Sequence, residues 1–353
     1  MSANDTTSNV SNACGLPEHS STDIIWKTFA YCFIAFGSLC GNSVVIFVIF
    51  KNRNMRSTIN YFIVNMSASD ILFAIFVIPR LILQLDMPDR WLIGGMVGSM
   101  LCKIDHFIQD VSTAVSILSL VAIAVDRFYG VVFPMKAGLM SGKRVRRLSL
   151  AATWCLGALL HLPYFYAYKL VDDKFCSYNW YPLADHAKAS KFYFIFLSTI
   201  LFFFPAAILI IVYSIIINTL RRQKFPGNQS LKDKKRVARR NRSVLKMVVV
   251  VVVVFICCWL PVNVSIYILI FHWGPNNAPC YGRLLFFWVI FIAYSNGCIS
   301  PFLYFIFNQN FRQGLKKAFL GQNNRDSVRR NQRSSHRKTD DISLTASQRQ
   351  KKY

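Results

Sequence analysis

Acidic charge is scarce in this chain of 353 residues, where 16 Asp and Glu face 41 Lys and Arg, and charge of either sign is thin at 16%. With 54% hydrophobic residues, too little polar surface remains for a typical soluble protein, so a membrane class is the first reading. The formal net charge of +25 would suit a nucleic-acid partner, but the basic residues border apolar stretches instead of sharing one folded polar face, which argues against nucleic acid. Paired cysteines are also missing. The ten cysteines form no CxxC pair, and Cys32, Cys40, Cys155, Cys257, Cys258 and Cys298 lie inside apolar stretches, where cysteine acts as a small hydrophobe. That argues against a zinc or redox centre. The first residues are polar and rich in Ser, Thr and Asn, so no cleaved signal peptide is expected. Within the apolar stretches no His/Glu cluster and no nucleophile with a base appears, which argues against an enzyme. No internal repeat is visible and Asp70 is taken as the one carboxylate at depth, which argues against a transporter or channel.

What is present is a series of long apolar runs. A hydrocarbon core of about 30 Å needs roughly 20 apolar residues in a helix, because lipid offers no partner to an unpaired backbone amide. Seven stretches qualify, at about 24–50, 59–85, 99–133, 146–168, 191–220, 244–271 and 283–307. Val248–Val254 is β-branched and would suit a strand in water, but lipid forces it into a helix. The expected fold is an all-α membrane protein, a seven-helix bundle over 24–307 with a short amphipathic surface helix over 308–320. A tail over 1–23 precedes the bundle and a disordered tail over 321–353 follows the surface helix.

Lys and Arg near span ends favour the cytoplasmic side. Lys51, Arg53 and Arg56 follow the first span, Lys143, Arg144, Arg146 and Arg147 the third, and a basic run over 221–246 the fifth. The amino terminus is therefore expected outside the cell and the carboxyl terminus inside, with the chain crossing the plasma membrane. The sequons at Asn4 and Asn9 fall outside, as glycosylation requires. Those at Asn65, Asn228, Asn241 and Asn263 fall in spans or the cytosol and are discounted.

Single residues inside the spans carry a family resemblance. Gly41-Asn42 lies in the first span, Asn65 and Asp70 in the second, Asp126-Arg127-Phe128 and then Pro134 at the end of the third, and Trp154 with Pro163 in the fourth. Pro205 and Tyr213 mark the fifth, Phe255 and Cys258-Trp259-Leu260-Pro261 the sixth, and Ser300-Pro301-Phe302-Leu303-Tyr304 the seventh. In this order on successive spans, the motifs resemble those of rhodopsin-like G-protein-coupled receptors over about 24–320.

The resemblance implies a set of roles. Asp70 would anchor a polar network with Asn42, Ser116, Asn296 and Ser300 that holds a sodium ion; alternatively, a protonated Asp70 bonds Asn42 or Asn296 with no ion. Asp126 and Arg127 would form a pair that loosens on activation, with Ile117, Phe255, Trp259, Pro205, Pro261, Tyr213, Pro301 and Tyr304 rearranging as the sixth helix swings outward. Two departures stand out: Phe128 lacks the usual tyrosine hydroxyl, and Asn241 stands where some relatives place an acid. Cys102 and Cys176 match the family's loop-to-helix disulfide, while Cys14 and Cys280 either form a second bridge or remain free thiols.

The position that holds an aspartate in amine receptors is Gln109, and the retinal lysine position is Tyr294, so amines and retinal are disfavoured. Gln109, Trp91 and the lengthy second outside loop resemble receptors for neuropeptides. Gln84, Gln109, Tyr267, Trp288 and Tyr294 are candidate pocket residues, with Asp185 and His272 on the rim. The alternative is a receptor for a lipid or another non-peptide ligand. Implied partners are an extracellular peptide, a heterotrimeric G-protein, arrestin through Ser and Thr of the tail, and anionic membrane lipid at the basic segments.

Overall fold

The computed structural model describes residues 21–87, 90–133, 142–222, 231–273, 279 and 282–320. Among them, seven helices are long and apolar enough to cross a membrane. They are α1 (Ser21–Lys51), α2 (Thr58–Asp86), α3 (Gly95–Val132), α4 (Lys143–Ala167), α5 (His186–Arg222), α6 (Leu245–Trp273, the end of a helix that starts at Leu231) and α7 (Gly282–Phe307). The valine run is helical, as the lipid argument requires. A short helix, α8 (Gln309–Leu320), follows α7.

The spans begin earlier than their apolar cores where polar groups cap them. Asp185 accepts the Lys188 amide at 2.9 Å, so α5 starts at His186 and not near 191. Ser57 caps α2 in the same way through the Asn60 amide. Proline interrupts the backbone ladder at Pro79, Pro205, Pro261 and Pro301, and a π-helical turn over Thr199–Phe203 stands just before Pro205.

Burial separates the centre of the bundle from its periphery. Within the spanning windows 56% of α3 is buried but only 22% of α4, so α3 forms the axis and α4 lies outside it. Outward faces are apolar: Phe29, Phe33, Phe36 and Phe192 are each at least 70% exposed. Such a surface suits lipid and not water. Asn65 on α2 donates to Ser119 at 2.9 Å and Thr153 at 3.0 Å and accepts from the Trp154 indole at 2.8 Å, which joins α2, α3 and α4.

One end of the bundle carries a hairpin, β1 (Tyr168–Val171) paired antiparallel with β2 (Phe175–Tyr178). Its turn holds Asp172 and Asp173 in the left-handed region, both at φ 51°, a conformation that Asp tolerates better than most residues. Asp173 accepts the Gly95 amide, Trp91 donates its amide to the Lys174 carbonyl, and Arg90 bridges to Phe175, so the hairpin is held against the loop between α2 and α3. Gly98 lets this loop fold back onto α3, since a Cβ there would lie 1.7 Å from the Ile93 carbonyl oxygen. Cys102 and Cys176 are disulfide-bonded, fixing β2 to α3.

At the opposite end α8 buries Phe311 against Tyr304, with ring centroids 5.9 Å apart, and leaves Arg312, Lys316 and Lys317 exposed. Asn52, just after α1, donates to the Gly314 carbonyl and fixes the α8 position.

Candidate functional site

The hairpin end contains a charged network that sequence reasoning missed. Arg80 of α2 forms a salt bridge with Asp105 of α3, and both side chains are about nine-tenths buried, at 10% and 9% exposure. This corrects the expectation that Asp70 is the one carboxylate at depth. Arg80 also donates to Gln84 at 3.0 Å and to the Gln109 carbonyl. Gln109 turns its amide to Asp110 at 3.3 Å, and Tyr164 of α4 donates its hydroxyl to the other Asp110 oxygen. Helical spacing explains the convergence: Arg80 and Gln84, like Asp105 and Gln109, are four residues apart and share a face. The available signal was the presence of Arg80, Asp105 and Asp110 inside predicted spans, where ionisable residues are functional by default.

An aromatic cluster surrounds Asp110. Tyr164 lies 5.2 Å from Tyr168 and 5.8 Å from Tyr193, Tyr168 lies 5.0 Å from Tyr178, and His106 stacks on Tyr168 at 4.0 Å. Burial raises the Tyr178 hydroxyl above the ordinary tyrosine range, against hydrogen bonds from Trp180 and Ser190 that lower it, while Asp110 adds to the rise. Tyr178 is therefore a neutral hydroxyl at physiological pH.

The candidate pocket residues are only partly brought together. Gln84 and Gln109 meet through Arg80. Tyr294 packs between Phe73 and Trp259, 4.8 and 6.2 Å away, one layer deeper. Tyr267 bonds Ser198 at 2.8 Å and links α6 to α5. Trp288 stacks on Trp26 at 5.6 Å, between α7 and α1 and away from Arg80. Asp185 is an exposed helix cap, and His272 is exposed on the final turn of α6. A cavity of about 250 Å³ opens beside this network between α2, α3 and their loop, lined by Arg80, Gln84, Arg90 and Asp105 together with Phe76, Leu83, Trp91 and Leu101 among others.

Below Tyr294 a cavity of about 30 Å³ borders Asp70, Ser112, Ser116, Trp259 and Asn296. Ser116 lies in hydrogen-bonding reach of Asp70 and 3.1 Å from Ser69. The Ser112 hydroxyl, the Asn296 carbonyl oxygen and the Trp259 indole N–H are buried with no partner among the described residues. One carboxylate with neutral oxygens around a space of this size suits a small hard cation or a water. Asn42 and Ser300 do not border the cavity: Asn42 donates to the Ser38 and Gly297 carbonyls, and Ser300 donates back to the Asn296 carbonyl.

At the α8 end, Arg127 bonds Asp126 through Nε at 3.1 Å and Nη2 at 2.5 Å. No salt bridge joins Arg127 to α6 among the described residues; the Asn241 side chain and Pro134 lie outside them. Ile117, Phe255 and Tyr213 are buried in one apolar core with Leu209, Met247 and Val251, against which Trp259 packs. The Tyr213 hydroxyl has no partner among the described residues, and the Tyr304 hydroxyl lies 4.0 Å from the Met66 sulfur and in reach of Ser300. Asn4, Asn9, Cys14 and Cys280 lie outside the described residues.

The 7 transmembrane receptor (rhodopsin family) pattern matches residues 41–304. The chain is 31% identical to a QRFP-like peptide receptor of Branchiostoma floridae over 306 residues, covering 84% of this chain and 78% of that protein. It is 30% identical to neuropeptide FF receptor 2 of Rattus norvegicus over 82% of this chain and 71% of the relative. It is also 30% identical to probable G-protein coupled receptor 19 of the same species, over 80% and 64% respectively. With the match spanning most of the chain and seven membrane-crossing helices in the fold, the protein belongs to the rhodopsin family of seven-transmembrane receptors.

Proposed function

We propose that this receptor sits in the plasma membrane with the hairpin end outside, binds an extracellular neuropeptide there, and activates a heterotrimeric G-protein at the α8 end as α6 moves outward. The observation that carries the ligand reading is the largely buried polar floor formed by Gln84, Arg80, Gln109 and Asp110 beneath the hairpin. A peptide offers both amides and charged side chains to such a floor, whereas a retinoid or sterol offers few polar atoms. Relatives named as receptors for peptides support the same reading.

Activation would exchange the Asp126–Arg127 pair and the Tyr213 and Tyr304 positions for a second packing, biased by ligand at the other end. A sodium ion at Asp70 would favour the unliganded packing. Phosphorylated tail residues would recruit arrestin, and the basic segments would attract anionic lipid. The apolar residues Phe76, Leu83, Leu92, Ile93, Leu101 and Ile104 in the cavity between α2 and α3, which Arg80, Gln84, Arg90 and Asp105 also line, favour a second reading, a lipid or other non-peptide ligand.

The test is a G-protein activation assay in cells expressing the full chain, challenged with amidated and free-acid neuropeptides, amines and lipids. A saturable response to one peptide group is expected. A response to lipids alone would overturn the peptide reading and leave the receptor class intact.

A further inference from the structure

Within the Arg80 network charge does not balance; the second guanidinium of this end, Arg90, lines the cavity on the Asp105 side. One guanidinium, Arg80, stands against two carboxylates, Asp105 and Asp110. Asp105 takes the salt bridge, and Gln109 stands between Arg80 and Asp110, accepting from the first and donating to the second. Asp110 receives two neutral donors and forms no salt bridge among the described residues. Nearby lysines are placed elsewhere: Lys103 is about two turns along α3 from Asp110, roughly 10 Å by helical rise, and Lys169 bonds the Tyr181 carbonyl and lies over the Tyr166 ring. Asp110 nevertheless retains exposed surface inside the bundle.

Its surroundings suit a cation. Tyr168, Tyr178 and Tyr193 lie within electrostatic reach of the Asp110 carboxylate. Tyrosine faces attract a desolvated cation through the ring quadrupole, and a carboxylate adds full charge and hydrogen-bond acceptors. A partly buried carboxylate without a counter-charge gains when one arrives.

We infer that Asp110, with Tyr164, Tyr168 and Tyr178 beside it, is a subsite for a cationic group of the ligand: a guanidinium, a lysine ammonium or a free N-terminal amine. The inference rests on the peptide-receptor reading and specifies it, since the end of the peptide that reaches α3 must then carry positive charge. It also revises the reading of Gln109, whose carbonyl is already taken by Arg80 and whose amide orients Asp110.

The test uses the full chain in nanodiscs of zwitterionic lipid and reads its thermal midpoint against four small probes. N-acetyl-arginine amide offers the guanidinium, N-acetyl-lysine amide the side-chain ammonium and phenylalanine amide the N-terminal amine. N-acetyl-citrulline amide is the neutral counterpart of the first. At least one cationic probe should raise the midpoint saturably while citrulline does not, and Asp110→Asn, which keeps the shape and removes the charge, should weaken that probe at least about 30-fold. Asp110→Asn should also raise the ligand-free midpoint by about 2 °C or more, because it removes an uncompensated charge.

Equal effects of arginine and citrulline probes on the wild type, a comparison that needs no variant, would overturn the subsite. So would an unchanged response of Asp110→Asn, or of Asp110→Ser should the first variant not fold. The cellular screen separates the two readings. Peptides whose basic residues can all become citrulline or norleucine without loss of potency would remove the subsite and keep the peptide receptor. A receptor that answers only lipids yet binds cationic probes through Asp110 would do the reverse.

Discussion

At the hairpin end, a disulfide, a buried salt bridge and hydrogen bonds through Gln109 and Tyr164 join α2, α3, α4 and the hairpin. At the α8 end, Arg127 is bonded to its own neighbour in the chain, and α3, α5 and α6 meet through apolar side chains such as Tyr213, Met247 and Val251. Breaking covalent bonds or paired charges in a low-dielectric interior is steeply unfavourable, whereas apolar contacts can be exchanged for others at small difference in energy. The contrast therefore separates a preorganised end, fit to hold a ligand, from an end with little to resist repacking.

Removing a paired charge should break the rigid end most severely. Asp105→Ala leaves Arg80 buried and unpaired, an expected loss of about 3–5 kcal/mol, visible as a collapse of surface expression and of the thermal midpoint. Unchanged expression would mean that Arg80 finds water or Asp110 instead. Cys176→Ala, paired with Cys102→Ala, should lose about 2–4 kcal/mol and lower the midpoint while leaving the helices intact by circular dichroism. If the double variant melts with the wild type, the hairpin is held by its backbone bonds to the α2–α3 loop alone.

If the proposed function holds, the α8 end should respond in signalling more than in stability. Asp126→Asn weakens the hold on Arg127, and a shift of about 1 kcal/mol would raise the active population about fivefold, read as basal nucleotide exchange. A fall in basal exchange would make the pair a requirement for coupling and not a restraint. The smallest effect on signalling is expected at Asn65, between the two ends. Asn65→Leu should lose on the order of 0.6 to 1.7 kcal/mol per interhelical bond, with G-protein activation retained; a large loss of activation would place Asn65 in the switch.

Much of the architecture was legible in the chain itself. Lipid admits few backbone solutions, so length and apolarity alone located α1 to α7 within a few residues, and a polar cap such as Asp185 explains the largest difference in where a span starts. Family motifs pointed to Asp70, Asp126, Arg127 and the Cys102–Cys176 bond. The Arg80 network was not read, because Arg80 lies near a span end, where an arginine ordinarily snorkels to the surface. The packing of Trp288 was not legible for a related reason: its residue type suits a pocket, while the rotation of α7 sets it against Trp26.

The sequence by itself determined how many times the chain crosses the membrane and which segments do so, because an unpaired amide in lipid is so unfavourable that local composition decides the matter. Tertiary structure alone decided which side chains meet. Arg80 and Asp105 are 25 residues apart, and Asp110 and Tyr164 are 54 apart. Whether such groups pair depends on the rotation and packing of separate helices, which no local pattern specifies.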